Sequence, residues 1–363
     1  MSAKIPATVV TGFLGAGKTT LIRHLLEHAG GKRIALIINE FGDLGVDGGI
    51  LKGCGIESCS EDDVMELSNG CICCTVAEDF VPTMETLLDR ETPPDHIVIE
   101  TSGLALPQPL VRAFNWPQIA TRVTVDGVVT VVDGKAVSEG RFAHDTDAVA
   151  AQRAQDENLD HETPLSELFE DQLACADMIV VNKSDLLEAN ETQALVGRLR
   201  NDARDGVQVV TSTMGALPVE VLLGQNIGAE ADTEARHEIH HHHDDHHHHH
   251  DDHHDHHHDD HDHSHDHDHD AFESFVVTLP EVKDPAAFAK QVADVIRRHD
   301  ILRLKGFAAV SGKPMRLTLQ AVGPRVDTYF DRPLAADDPR ETHLVVIGQS
   351  GLDRAAIEAA LAA

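Results

Sequence analysis

The chain has 363 residues, 41% of them hydrophobic, and a formal net charge of -33 at pH 7. This length fits one large domain plus a smaller one. The acidic charge argues against nucleic acid as a partner, because phosphate backbones are bound through an excess of Lys and Arg. Since no run approaches the roughly 20 apolar residues of a membrane span and the start lacks a secretory signal, we expect a soluble cytoplasmic protein with no membrane partner.

The first two-thirds of the chain alternate short apolar runs with helical stretches. This rhythm predicts an α/β fold, a parallel sheet with helices on both faces. Several predicted strands end in a polar residue, and open α/β sheets place their sites at such strand ends. The polar segment 141–161 remains unassigned. The predicted strands are Ala7–Thr11, Arg33–Asn39, His96–Glu100, Val128–Asp133, Met178–Asn182 and Val207–Thr211.

A glycine-rich loop, GFLGAGKT, joins the first predicted strand to a helix that starts near Lys18. This context is typical of the phosphate-binding loop of a P-loop NTPase; the alternative is a glycine-rich turn without a ligand. Backbone N-H groups and the helix N-terminus would bind phosphate oxygens, Lys18 would neutralise their charge, and Thr19 would bind Mg²⁺. The predicted nucleotide-binding residues of this loop are Gly12, Gly15, Ala16, Gly17, Lys18, Thr19 and Thr20.

Three of the six cysteines lie in the sequence CICC, as Cys71, Cys73 and Cys74. Such a cluster in a chain this long indicates reduced thiols rather than a disulfide framework. Thiolates suit Zn²⁺ and tetrahedral Co²⁺. Three sulfurs do not complete a four-coordinate shell, so another side chain, water or a second subunit must contribute, and a nucleotide- and metal-dependent homodimer is one hypothesis. For Cys54 and Cys59, a second metal site and simple packing are both open.

The sequence HIVIETSG places Glu100 at the end of an apolar strand and Gly103 three residues later. The Glu100 carboxylate can reach the Mg²⁺ shell. Gly103 can bring its N-H to a γ-phosphate and release it after hydrolysis, as a conformational switch does. Taken alone, a strand that ends in Glu is common and does not indicate a functional site.

The sequence NKSD follows another apolar strand and supplies Asn182, Lys183 and Asp185. One carboxylate can accept both adjacent N-H donors of guanine, so Asp185 would select GTP over adenine nucleotides. Lys183 would cover the base and Asn182 would fix the loop, although Asn and Asp are also ordinary turn residues. Thr211 and Ser212 are further candidates for closing over the base.

Residues 231–270 are predicted to form a disordered linker, because a segment made almost entirely of His and Asp cannot bury enough apolar surface to fold. Most of the 27 histidines lie in 237–269. Imidazole binds Zn²⁺, Co²⁺ and Ni²⁺, so weak metal buffering is the favoured interpretation and a solvated charged linker the alternative. The predicted domains are then a P-loop GTPase domain with the cysteine site (1–230), this linker, and a small α+β domain of one sheet and two helices (271–363).

Together these features resemble the metal-trafficking group of P-loop GTPases, and within it the CobW-type metallochaperones. The resemblance rests on GFLGAGKT, NEFGDLGVD, GCICC, ETSG, NKSD and a His-rich insertion before a small C-terminal domain. It implies slow GTP hydrolysis with Mg²⁺ and delivery of Co²⁺ to a cobalt chelatase of cobalamin biosynthesis, or of Zn²⁺ to a client metalloenzyme. It also places three acidic residues in the first switch region, where they could hold Mg²⁺ (Asp47) or act in hydrolysis (Glu40, Asp43) beside Lys18 and Glu100.

Two rival functions remain at this point. A metal-storage or buffering protein would bind many ions through the His tract without dependence on GTP. An activator that metallates a single apoenzyme would instead form a stable complex with that client.

Overall fold

The computed structural model describes residues 4–38, 64–66, 80–155, 164–233, 272–334 and 340–363. They divide into two compact units, of which the first contains 4–233 with Ala321–Arg325 and the second contains the remaining C-terminal residues. None of the described helices is long and apolar enough to cross a membrane.

The first unit is built on a seven-stranded sheet with the order β3-β2-β4-β1-β5-β6-β7. Every pair of neighbouring strands in it is parallel. All carboxyl ends therefore meet at one edge, with β1 at the centre. Its strands are β1 (Ile5–Thr11), β2 (Ile34–Ile38), β3 (Val64–Glu66), β4 (His96–Glu100), β5 (Val123–Asp133), β6 (Met178–Asn182) and β7 (Gln208–Thr211).

Nine described α-helices accompany this sheet. Longer helices follow most strands, as parallel crossovers require. They are α1 (Lys18–Glu27), α2 (Val81–Leu88), α3 (Pro107–Ala113), α4 (Pro117–Ala120), α5 (Gly134–Ser138), α6 (Thr146–Gln155), α7 (Leu165–Cys175), α8 (Ala189–Asp202) and α9 (Val219–Leu222).

Both faces of the sheet are covered, which explains why its strands are almost continuously apolar. On one face, Val9 and Ile99 pack with Phe80, Met84 and other side chains of α2, α3 and α4. On the other face, α1 and α9 enclose a cavity of about 10 Å³ against β1, β4 and β5. This volume is close to the space needed for a single water. The predicted α/β fold with helices on both faces is thus confirmed.

Two of the departures from the predictions have a clear cause in the sequence. The unassigned polar segment contains helix α6, which has only a narrow apolar side and was therefore hidden from periodicity arguments. Strand β5 begins at Val123, five residues before the predicted start. Its register against β1 shifts between Ala7 and Thr8, leaving Asp126 as an extra residue in a bulge. The polar Asp126 and the following glycine disguise the strand in the sequence.

The second unit is a five-stranded sheet with the order β11-β10-β9-β12-β8. Strand β12 lies between β9 and β8 and pairs antiparallel with both. Helix α10 buries an apolar stripe that includes Phe288, Val292 and Ile296, and Asp284 caps its N-terminus. The predicted small α+β fold is confirmed. The elements are β8 (Phe272–Leu279), α10 (Pro285–Arg298), β9 (Arg303–Ala309), β10 (Met315–Val322), β11 (Arg325–Pro333), β12 (Thr342–Gln349) and α11 (Arg354–Ala362).

Candidate functional site

The predicted phosphate-binding loop spans the gap between β1 and α1, at the centre of the carboxyl edge. Gly17 has φ 102°, and a Cβ at this position would lie 2.2 Å from Asn182 Nδ2. Only glycine tolerates both conditions. The loop thus closes directly against Asn182 at the end of β6. The residues placed in or beside this loop are Gly12, Gly15, Ala16, Gly17, Lys18, Thr19 and Thr20.

Lys18 lies at the first turn of α1, and its side chain folds back over the loop. Its Nζ donates to Gly12 O at 2.8 Å and to Phe13 O at 3.4 Å, and the residue is only 7% exposed. A buried ammonium held above a ring of backbone groups is suited to meet phosphate oxygens.

Thr19 and Glu100 come together across 81 residues of sequence. Thr19 Oγ1 donates to Glu100 Oε1 at 3.1 Å, because β4 pairs directly with β1 and ends level with the loop. A carboxylate beside a hydroxyl next to a phosphate-binding loop is a donor set that fits Mg²⁺. These two residues would hold the ion, and the ion would neutralise phosphate charge during transfer.

Gly103 follows Glu100 in the loop that leaves β4. A Cβ on Gly103 would lie 2.7 Å from the backbone N of Leu14. The backbone of this loop therefore rests directly on the phosphate-binding loop. Thr101 anchors its start, donating through Oγ1 to Thr11 Oγ1 at 2.9 Å.

Asn182 joins three loops of the carboxyl edge. Its Nδ2 donates to Ala16 O at 2.9 Å, and its Oδ1 accepts from Gly215 N at 3.0 Å. The segment after β6, the phosphate-binding loop and the loop after β7 are thus fixed to one another.

Lys183 adopts a left-handed backbone conformation, with φ 59°. Its Nζ donates to Asp133 Oδ2 at 2.5 Å, and Asp133 is almost fully buried at the end of β5. The other Asp133 oxygen accepts from Ala136 N. Asp185 follows in an exposed turn, where its carboxylate is accessible to a base. Ser212 O accepts from both Ser184 N and Ser184 Oγ, each at 3.1 Å, so the predicted base-closing segment lies against NKSD.

Two residues of this edge escaped the sequence arguments. Asp133 could have been found, since it is a polar residue at the end of an apolar run. Met214 carried no such signal. It follows β7 with φ 52° and its side chain is 67% exposed, an unusual position for a large apolar residue.

Several predicted site residues lie outside the described residues. Among the residues that the structure describes, no group of three or more His, Cys, Asp or Glu side chains is arranged to hold a metal ion. The roles of the predicted site residues outside the described part of the chain stay predictions. These residues are Glu40, Asp43, Asp47, Cys71, Cys73, Cys74 and the tract 237–269.

The parallel sheet, the loop after its central strand and the facing Glu100 define a P-loop nucleotide-binding protein. Residues 6–211 match the family described as CobW/HypB/UreG, nucleotide-binding domain. Residues 272–363 match the cobalamin synthesis protein cobW C-terminal domain. The chain belongs to the CobW/HypB/UreG family.

Curated relatives extend over nearly the whole chain. A protein named zinc chaperone CobW from Sinorhizobium sp is 56% identical over 99% of this chain and 97% of its own. A protein of the same name from Pseudomonas aeruginosa is 53% identical over 98% of this chain and 90% of its own. Zinc chaperone YjiA from Escherichia coli is 30% identical over 95% of this chain and 94% of its own.

Proposed function

We propose that this protein is a GTP-dependent zinc metallochaperone. Cys71, Cys73 and Cys74 bind the ion, and GTP hydrolysis releases it to a client metalloenzyme. Two relatives that are more than half identical to the chain carry the name zinc chaperone, and thiolate ligands suit Zn²⁺.

The observation that carries this proposal is the position of β3. Glu66 and Glu100 are both level with Ile38 in the sheet, on the two sides of β2. Since neighbouring strands lie about 4.8 Å apart, the chain leaves β3 toward the cysteines roughly 10 Å from the backbone of Glu100. The proposed metal-binding cysteines therefore follow in sequence a strand that ends at the edge carrying the nucleotide residues, which supports coupling between the two.

In the proposed cycle, the phosphate-binding loop and Lys18 hold the β- and γ-phosphates of GTP. Thr19 and Glu100 would hold Mg²⁺, with Asp47 as a further ligand, and the ion would neutralise phosphate charge. The Gly103 N-H meets the γ-phosphate, and Asp185 accepts from the guanine base beneath Lys183. Loss of the γ-phosphate releases Gly103, the cysteine segment opens, and the ion leaves. Glu40 and Asp43 are the candidates for orienting the attacking water.

The cargo and the partners are the finer part of the proposal. Affinity of N, O and S ligands rises from Co²⁺ to Zn²⁺, so the cysteines alone do not enforce cobalt. The names of the relatives favour zinc over the predicted cobalt cargo and cobalt chelatase client. A second subunit could supply the fourth ligand, and native mass spectrometry with Zn²⁺ and a GTP analogue tests this: a chain that stays monomeric eliminates the homodimer.

The deciding experiment is a competitive zinc titration with Mg²⁺ and either a non-hydrolysable GTP analogue or GDP. We expect zinc to bind the GTP-analogue form at least about tenfold more tightly, within the usual range of coupling between two sites. The triple variant Cys71→Ser, Cys73→Ser, Cys74→Ser should lose this difference. The control is Cys175→Ala, because Cys175 is fully buried in the core, and this variant should keep the difference. Equal zinc affinities in both nucleotide states of the unaltered protein would exclude a GTP-driven chaperone.

The same titration separates the rival functions. A storage protein would bind several zinc ions per chain with no dependence on nucleotide. An activator dedicated to one apoenzyme would copurify with that enzyme in the GTP state.

A further inference from the structure

A fully buried glutamine holds the loop that follows β4. Gln172 projects from α7 and is 0% exposed. Its Nε2 donates to Gly103 O at 3.1 Å and to Ala105 O at 3.2 Å. Because both neighbours are carbonyl oxygens, only the nitrogen of the amide can face them. The two bonds therefore fix the path of the loop on both sides of Leu104.

Gln172 itself belongs to a rigid part of the first unit. Its backbone oxygen accepts from Thr130 Oγ1 of β5 at 2.9 Å, and Leu173 and Cys175 beside it are buried in the core. The loop it holds is in turn packed on the phosphate-binding loop, as the 2.7 Å approach of a Gly103 Cβ to Leu14 N indicates. Gln172 thus links the frame of the sheet to the segment that would contact the terminal phosphate.

The carbonyl oxygens of two glutamines flank this same loop. Gln172 Oε1 and Gln152 Oε1 are both buried without a hydrogen-bond donor among the described residues. Gln152, on α6, lies with its Nε2 3.5 Å from Ser102 Oγ. Amide groups from two helices, α6 and α7, therefore lie beside this loop.

We propose that Gln172 is a positioning residue of the nucleotide site, which holds the 102–105 loop where the Gly103 N-H can distinguish a nucleoside triphosphate from a diphosphate. The inference rests on the proposed GTP-dependent function. Gln172 acts through Gly103 and touches no phosphate itself.

The test compares two buried glutamines that differ in location. Gln225 is 4% exposed, donates through Nε2 to Leu222 O at 3.2 Å, and also has a buried Oε1 with no donor among the described residues. It lies beside Gly127 in β5, which pairs with Thr8 in the middle of β1 and so lies away from the carboxyl edge. Gln225→Met therefore removes a similar amide and serves as the control for Gln172→Met.

Both variants are measured by displacement of a fluorescent nucleotide with a GTP analogue and with GDP, in Mg²⁺. Gln172→Met should lower the ratio of GTP-analogue affinity to GDP affinity about tenfold, as expected from the loss of two buried hydrogen bonds. Gln225→Met should leave this ratio within about twofold of that of the unaltered protein. This should hold even where Gln225→Met lowers the denaturant midpoint by as much as Gln172→Met does. A Gln172→Met ratio equal to that of the control, or an equal loss of both affinities, overturns the inference.

Gln172→Glu provides a second readout and carries the test if the methionine variant does not fold. A protonated carboxyl can donate to one of the two carbonyls and an ionised one cannot. The affinity ratio of this variant should therefore recover as the pH is lowered, and a pH profile parallel to that of the unaltered protein contradicts the proposal. If the unaltered protein binds neither nucleotide, the proposed function fails and this inference with it. If it discriminates them and Gln172→Met discriminates equally well, only the inference fails.

Discussion

At the scale of single residues, the carboxyl edge depends on pairs that are distant in sequence. Asp133 and Lys183 are 50 residues apart and meet at 2.5 Å. The carboxylate is buried and caps α5 with its second oxygen, so it is held rigidly and in turn directs the lysine. A lysine held in this way keeps its aliphatic stem in a fixed position beside the exposed Asp185.

The first prediction concerns this pair. Asp133→Asn keeps an oxygen for the Ala136 N-H but removes the charge that holds Lys183, so GTP affinity should fall about three- to tenfold, in line with the loss of a charge-assisted hydrogen bond. Nucleotide titration measures this loss.

The matched control is Asp177→Asn. Asp177 is also buried, accepts from Val128 N at 2.9 Å and pairs with Arg204 at 3.1 Å, but it precedes β6 instead of following it. This variant should lose stability and retain GTP affinity. Similar GTP affinities for Asp133→Asn and Asp177→Asn would show that Asp133 does not contribute to nucleotide binding.

A second residue-scale feature is a buried polar group near the amino ends of β4 and β1. His96 Nε2 forms a 2.8 Å hydrogen bond with Thr8 Oγ1 and lies 3.9 Å from Asp126 Oδ2. Burial lowers the pKa of His96 from 6.5 to about 4, although Asp126 opposes this shift. Asp126 accepts from Gly224 N and Asn226 N, so its charge is already compensated by backbone donors.

The second prediction follows from this lowered pKa. Above pH 6.5 His96 is neutral in both the folded and the unfolded chain, and its contribution to stability is complete. As the pH falls toward 4, the unfolded chain binds a proton that the folded chain excludes. The free energy of unfolding therefore decreases by roughly 3 kcal/mol. The free energy of unfolding of His96→Gln, from denaturant titrations across this range, should depend less on pH. The variant His144→Gln, at an exposed histidine, is the control and should show the same stability profile as the unaltered protein. A His96→Gln profile parallel to that of the unaltered protein would contradict the prediction.

At the scale of elements, the site is made by loops that follow parallel strands and are locked together by Asn182. The 2.9 Å bond from Asn182 Nδ2 to Ala16 O requires the phosphate-binding loop to approach closely. Gly17 makes this approach possible, because a side chain there would occupy the place of the Asn182 amide.

The third prediction tests this packing with two Gly→Ala substitutions. Gly17→Ala should lower stability by about 1–3 kcal/mol through backbone strain and greatly weaken GTP binding. Gly197→Ala lies inside α8, where a Cβ would meet nothing within 4 Å, so it should raise stability by about 0.5–1 kcal/mol. Thermal unfolding and nucleotide titration measure both effects. Unchanged GTP binding in Gly17→Ala would refute the role of this loop.

At the scale of the whole molecule, the His- and Asp-rich tract lies in sequence between the residues of the parallel sheet and those of the antiparallel sheet. Its residues lie outside the described part of the chain, and its proposed role rests on composition. In the proposed function, a tethered set of imidazoles would raise the local metal concentration near the cysteines without adding a contact to the nucleotide site.

The fourth prediction is that deletion of 237–269 weakens zinc acquisition when zinc is scarce and leaves GTP affinity unchanged. A competition assay against a zinc chelator at several zinc concentrations measures the first property, and nucleotide titration measures the second. Replacing the histidines by Ser in a tract of the same length is the control for linker length, and it should reproduce the loss. Zinc loading equal to that of the full chain would leave the tract as a solvated linker.

The sequence by itself determined the elements whose signals are local. A glycine-rich run after an apolar strand specifies a phosphate-binding loop because backbone conformation and helix N-termini act over a few residues, and GFLGAGKT lies between β1 and α1 as predicted. Strand ends such as Glu100 and Asn182 were visible for the same reason. Helix α6 and the bulge at Asp126 were missed because a narrow apolar side and a polar interruption weaken the periodic signal.

Only the tertiary structure decided which of these residues meet. The strand order places β4 beside β1, and with it Glu100 beside Thr19, across 81 residues. The approach of Gln172 to Gly103 and of Asp133 to Lys183 depends on the same order. Strand order follows from burying both faces of the sheet at once, a condition on the whole chain that no short segment records.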